Sequence, residues 1–136
     1  MYDLERVTKI LADLERYYVD LEAMPVTSSL MSKERFYSLS MLLFAILNRI
    51  IDLGQEVVRG QKLGSPSSYK EVFQILAKEK VVSITLSKEL QYLAARRNVL
   101  AHSYFDVTEQ SIYDIYTKIR VGIKFMAEVR KLLLKK

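Results

Sequence analysis

Along the first stretch of the chain apolar residues recur at alternating steps of three and four: Leu4, Val7, Leu11, Leu14, Tyr18 and Leu21. That spacing lays one stripe along a helix with charges opposite, and predicts a helix from about residue 2 to residue 24. Pro25 interrupts it, and Thr27, Ser28 and Ser29 read as the connection. Ser32 is the expected N-cap of a second helix that runs to about Arg59. This helix differs from the first, because Phe36, Leu39, Met41, Leu42, Leu43, Phe44, Ile46, Ile50, Ile51, Val57 and Val58 fall on more than one face. A helix apolar nearly all round must be buried nearly all round. It therefore belongs at the centre of a bundle, or with one face on the core and another on a second subunit.

Gly60, Gly64 and Pro66 mark residues 60–67 as a loop between two helical halves. Ser68 followed by Glu71 predicts a capping box, and a short third helix follows with Val72, Phe73, Ile75 and Leu76 inward, ending near Lys80. The run Val81, Val82, Ser83, Ile84, Thr85 favours a strand by propensity, but the chain offers no second strand to pair with it. It reads as a connection into a fourth helix, which continues through Leu86, Leu90, Leu93 and Arg97 to about His102. Asp106 or Thr108 caps a fifth helix carrying Ile112, Tyr116, Ile119, Ile123 and Met126, whose last turns are basic. The pattern predicts one all-α domain over residues 1–136, a bundle of about five helices.

Composition narrows the chemistry. The 136 residues contain no cysteine and one histidine, so disulfides, a thiolate nucleophile and a Cys- or multi-His metal cage are not expected. No metal and no cofactor is expected. The longest uninterrupted apolar run, residues 41–47, is closed by Asn48 and Arg49 and is short of the roughly 20 residues of a membrane span. Asp3 and Glu5 near the start argue against a signal peptide. The expectation is a soluble, cytoplasmic protein with no membrane association. A formal charge of +5 suits a polyanionic partner.

One segment concentrates reactive groups: Arg96, Arg97, Asn98, His102, Ser103 and Tyr104. An imidazole titrates near neutrality, at about pH 6.5, and a guanidinium can grip a phosphate with two parallel hydrogen bonds. Together they suit phosphodiester chemistry. The plainer alternative is that His102 simply ends a helix and that the arginines are solvated or paired with carboxylates. On a helix Asn98 and His102 share a face, so the amide could orient the imidazole. Arg97 and His102 are five apart, about 140° round the helix, and diverge. They converge if the helix frays at Ala101, or if two copies meet across a two-fold axis and each lends its arginine to the other's histidine. Arg97 and Tyr104 share a face if the helix continues that far.

The order Arg97 to Tyr104, RNVLAHSY, resembles the R-x4-H-x-Y motif of the HEPN superfamily and of its HepT-type toxins. Two further stretches are similar to the same family: GSPSSYKEVFQIL, leading into the third helix, and AILNRIID, which ends in Asp52. The resemblance implies a helical homodimer that cleaves RNA without a metal, paired with a minimal nucleotidyltransferase antitoxin. It implies Arg97 and His102 as the catalytic pair and Asn98 as the polar residue beside the arginine. It also implies Tyr104 as the tyrosine that receives AMP from the antitoxin, and Asp52 as a supporting acid on the second helix.

Two functions remain in view. One is a toxin ribonuclease in which a ribose 2′-hydroxyl attacks the adjacent phosphorus, Arg97 holds the developing charge and His102 moves protons. Single-stranded RNA suits in-line attack, and Tyr104 and Phe105 beside the site could stack a base, with plain packing the alternative for each. The other is a non-catalytic subunit that offers a nucleotide or substrate platform to a separate nucleotidyltransferase.

Overall fold

The structure, a computed structural model, describes residues 1–135 apart from the side chain of Tyr104. Helix α1 spans Leu4–Glu22, α2 Lys33–Gly60, α3 Tyr69–Lys78, α4 Ile84–His102, α5 Glu109–Lys118 and α6 Val121–Leu134, with a 3-10 turn at Tyr104–Asp106 after α4. No strand occurs among the described residues, so the all-α reading holds. The centre is α2, which packs against α1, α3, α4 and α5. Leu39, Leu43, Ile46 and Leu53 along it are fully buried, each contributing about 1.5–3 kcal/mol through removal from water. Asn48 and Arg49 close the longest apolar run without ending the helix. By length and composition alone α2 could cross a membrane, yet here it is the core helix of a bundle.

Helix starts follow local capping. Asp3, Ser32, Ser68, Ser83 and Thr108 each place a side-chain oxygen on a first-turn N–H, and removing such a cap typically costs about 1 kcal/mol. Three expectations change in detail. The Ser68 hydroxyl accepts from the Glu71 N–H, but the Glu71 carboxylate accepts from the Ser67 N–H at 2.6 Å, one residue earlier than a capping box requires. The β-branched run is not wholly a connection, because Ser83 caps α4 and Ile84 and Thr85 already lie in it. Of the two candidate caps for α5 it is Thr108, exchanging hydrogen bonds with Ser111, while Asp106 lies in the 3-10 turn.

The expected last helix is two helices, α5 and α6, and the cause lies far away in sequence. The Tyr18 hydroxyl of α1 donates a buried hydrogen bond of 2.7 Å to the Ile119 carbonyl, drawing it away from the helical ladder. The Gly122 and Ile123 N–H groups then turn back three residues, to Ile119 and Arg120, a tightened turn that marks the joint. Burial raises the Tyr18 hydroxyl's pKa well above the ordinary phenol value, with the nearby Arg120 opposing, so it stays a donor. Gly122 makes room for the phenol: a Cβ there would lie 2.2 Å from the Tyr18 oxygen and 2.6 Å from Ile50 Cδ1. Phe125 of α6 then meets Phe73 of α3 edge to face, with ring centres 5.7 Å apart.

An ionic cluster ties α1 to α2. Asp13, only 3% exposed, accepts from Arg49 Nε and Nη2 at 3.0 and 2.6 Å, from Lys9 at 3.0 Å and from Arg16 at 3.2 Å. Arg49 also donates to Asp52 at 3.0 Å. The Lys9 hydrogen bond lowers the Asp13 pKa below the usual carboxylate value; burial opposes it and Arg49 reinforces it.

Two expected outcomes follow for stability. Gly122→Ala must push Tyr18 or Ile50 aside and should lose about 1–3 kcal/mol in urea unfolding, with the folded helix content kept. A depressed carboxylate adds stability above its unfolded pKa of about 3.9, and that stability is lost as pH falls through the lower folded value. Asp13→Asn should therefore be destabilised by about 1–3 kcal/mol at neutral pH, and its thermal midpoint should fall less than the wild type's between about pH 5 and pH 3. An equal fall in both would show that Asp13 carries no such linkage.

Candidate functional site

The reactive segment lies at the end of α4. Helical hydrogen bonding persists to its last residue, since the Ser103 N–H still donates to the Val99 carbonyl at 2.9 Å. The helix does not fray at Ala101, so within one chain Arg97 and His102 stay on diverging faces. Nor does it extend to Tyr104: Ser103 leaves the helical region at φ −128° and ψ 33°, and the Tyr104 backbone enters the 3-10 turn. The Tyr104 side chain, expected to receive AMP, lies outside the described residues.

Arg97 is half-buried and held from three helices. Its Nε donates to the Asn48 Oδ1 of α2 at 2.8 Å. Its guanidinium sits over the Tyr69 ring of α3, 5.1 Å from the centre, and near the Phe44 ring of α2 at 5.5 Å, close enough for cation–π attraction. Nη1 reaches the Asn98 Oδ1 at a long 3.5 Å. The guanidinium is thus oriented through its Nε edge and its faces, and its Nη2 hydrogens have no protein acceptor among the described residues. That fixed edge can hold a phosphoryl oxygen without first reorganising.

His102 is exposed on the final turn of α4 and makes no hydrogen bond to the described residues. Asn98 does not orient it as the helical spacing suggested; the Asn98 amide oxygen faces Arg97 instead. Asp52 lies one turn beyond Asn48 on α2, but its carboxylate accepts from Arg49 in the ionic cluster with Asp13 and makes no bond to Arg97, Asn98 or His102. Arg96 points elsewhere, with its guanidinium 5.3 Å from the Tyr92 ring centre and the Lys118 ammonium 4.4 Å from the same ring.

Three residues that complete the arginine's seat, Asn48, Phe44 and Tyr69, had not been singled out for this role from sequence. Asn48 carries a readable signal, an amide that with Arg49 interrupts the apolar run of the central helix. The two aromatics carry none, since either reads equally well as core.

Two concave surfaces flank the seat. A groove of about 340 Å³ is formed by Tyr37, Ser40, Met41, Phe44 and Leu100, with Met41 76% exposed and Tyr37 49% exposed. A cleft of about 690 Å³ opens on the other side beside Asn98 and Tyr69. Among the described residues no group of three or more His, Asp or Glu side chains is gathered to hold a metal ion.

Residues 7–129 match the family model described as Ribonuclease HepT-like. Over 54 residues the chain is 33% identical to the mRNA nuclease HepT of Shewanella oneidensis, a stretch covering 40% of this chain and 41% of that protein. The matched stretch is thus less than half that relative's length. Two solved structures share the architecture nearly end to end. The cytosolic protein YutE of unknown function from Bacillus subtilis superposes with a TM-score of 0.84 at 24% identity, over 98% of this chain and 93% of that one. A tri-AMPylated Shewanella oneidensis HEPN toxin, in complex with an MNT antitoxin, superposes with a TM-score of 0.82 at 19% identity, over 96% and 99%. At these identities the structural likeness establishes the HEPN fold.

Proposed function

We propose that this chain, which belongs to the HepT-like family, is a toxin ribonuclease that acts as a homodimer and cuts single-stranded RNA through Arg97 and His102 without a metal ion. The observation that carries this reading is the seat of Arg97: a guanidinium held by Asn48, Phe44 and Tyr69 with a free edge, on the same helix end as an exposed imidazole. In the proposed reaction a ribose 2′-hydroxyl gives up its proton and attacks the neighbouring phosphorus. The P–O5′ bond breaks, and the leaving oxygen takes a proton, giving a 2′,3′-cyclic phosphate and a 5′-hydroxyl. His102 serves the proton transfers, Arg97 stabilises charge on the non-bridging oxygens, and Asn98 supports the arginine. Asp52 acts at most from a distance, by holding Arg49 and hence the α1–α2 pairing.

Dimerisation is favoured by two features. The exposed Met41 and Tyr37 form an apolar groove with Phe44 and Leu100, and Phe44 also touches Arg97, so a copy docked there stands beside the catalytic arginine. The unfrayed α4 leaves Arg97 and His102 of one chain apart, and a two-fold partner supplies the missing half of each site. The cytoplasm is the proposed compartment, as described for YutE.

The proposed regulator is a nucleotidyltransferase antitoxin that transfers AMP to Tyr104, two residues beyond His102. The Shewanella toxin of the same fold is AMPylated and bound to an MNT antitoxin, which supports the partner. An attached adenylate adds a negative phosphodiester and a bulky base at the end of α4, where it competes with RNA for Arg97.

Cleavage of single-stranded RNA with EDTA present tests the reaction. Wild type should remain active, while Arg97→Ala and His102→Ala should each lose about a hundredfold or more with unchanged circular dichroism. Unaltered cleavage by His102→Ala would overturn the assignment, and a wild type that binds RNA without cutting it would favour the non-catalytic platform. For the dimer, light scattering should show two chains for the wild type and a single chain for Met41→Glu. Mixing the inactive Arg97→Ala and His102→Ala proteins should restore part of the activity, because one composite site then contains both groups; no restoration would place arginine and histidine action in the same chain.

A further inference from the structure

The cleft beside Asn98 forms where the end of α2 meets the start of α3. At about 690 Å³ it lies within the size range of clefts that hold small ligands. Val58, Pro66 and Tyr69 give it apolar lining, and Arg59, Lys62 and Asn98 bring polar groups to it. Tyr69 joins it to the arginine's seat, since the same ring lies under the Arg97 guanidinium.

The charge of the cleft comes from side chains. At the start of α3 the Glu71 N–H is taken by the Ser68 hydroxyl and the Ser67 N–H by the Glu71 carboxylate, whose negative charge makes that helix end a poor seat for an anion. Glu56 is bonded by both Arg59 and Arg6, and Asp3 also attracts Arg59, so this group is close to neutral and the surplus positive charge of the cleft rests on Lys62. Lys62 is exposed and has no ion-pair partner among the described residues. Its position is well fixed: the Lys62 N–H donates to the Arg59 carbonyl at 3.1 Å and the Leu63 N–H to the Val58 carbonyl at 3.0 Å, closing α2 with Lys62 at φ 56°. That left-handed conformation favours glycine.

We propose that this cleft binds the stretch of single-stranded RNA adjoining the scissile phosphate, with phosphates against Arg59 and Lys62 and a base on the apolar lining. The inference rests on the reading of Arg97 and His102 as an RNA-cutting pair, and adds a second contact zone to it. A continuous strand is favoured over a free mononucleotide because cations stand at two separate places, Arg97 on α4 and Arg59 with Lys62 at the end of α2. Tyr69 and Asn98 border both the cleft and the Arg97 guanidinium.

Lys62→Gly tests this, because glycine suits the left-handed backbone at that position and the side chain with its ammonium group is removed without backbone strain. The probe is a short single-stranded RNA made uncleavable by 2′-O-methylation, followed by fluorescence anisotropy across a salt series. Binding should weaken several-fold, and the slope of log affinity against log salt should become shallower by about 0.7, the value for one phosphate contact on a single strand. With cleavable RNA, KM should rise for an oligonucleotide while kcat holds, and a dinucleotide substrate should be cut as before. Equal affinity and equal salt slope for wild type and Lys62→Gly would overturn the proposal, as would a loss of AMP binding with oligonucleotide binding intact. If RNA binding depends on Lys62 but wild type cuts nothing, the cleavage reading fails and the cleft stands. If wild type cuts RNA and Lys62→Gly is indifferent on every substrate, the cleft fails and the cleavage reading stands.

Discussion

Everything in this molecule is arranged around the need to bury α2. A 28-residue helix with apolar side chains on several faces cannot rest on a single neighbour, so α1, α3, α4 and α5 gather round it. The same helix carries two polar interruptions in mid-span, and each is answered by a specific partner. Arg49 is neutralised by Asp13 and Asp52, and Asn48 accepts from Arg97. A buried or half-buried polar group left unanswered would cost about 1–3 kcal/mol. These pairings consequently fix the rotation of α1 and α4 about the central helix, and the placement of the arginine is a by-product of solving the core.

This origin explains what sequence reading captured and what it missed. Periodicity located α1, α2, α3 and α4 because each has a stripe or face of its own, and Ser32 and Ser68 were legible as caps because capping is decided within four residues. The joint between α5 and α6 was not legible. Ile112, Tyr116, Ile119, Ile123 and Met126 keep helical spacing straight across it, and the deviation comes from the Tyr18 hydroxyl of α1. The start of α4 was hidden for a related reason, since β-branched propensity argued against a helix at Ile84, which is exposed, and the Ser83 cap overruled it.

The site divides in the same way. Arg97, Asn98 and His102 stand out in sequence by residue type, and a short motif groups them. Their placement is tertiary information: Asn98 turns to the arginine, the histidine is left to solvent, and Asp52, one turn from Asn48, is drawn to Arg49 instead. For the proposed reaction, a held guanidinium and a solvent-exposed imidazole suit different tasks. Charge stabilisation benefits from groups already in place, whereas a proton carrier must reach two different oxygens in turn.

The Tyr18–Ile119 hydrogen bond also bears on how the chain reaches this fold. Its partners are separated by 101 residues, so the contact closes a loop over most of the domain, and the entropy of that closure must be met before the bond returns any stability. Helices α1 and α2, neighbours in sequence, can pair early and locally, as can α3 and α4. The bend that brings Phe125 onto Phe73 can be set only after the first helix has met the last quarter of the chain. The domain therefore has a local half that assembles fast and a long-range latch that completes late, and on a ribosome the first helix waits for a carbonyl made 101 residues later.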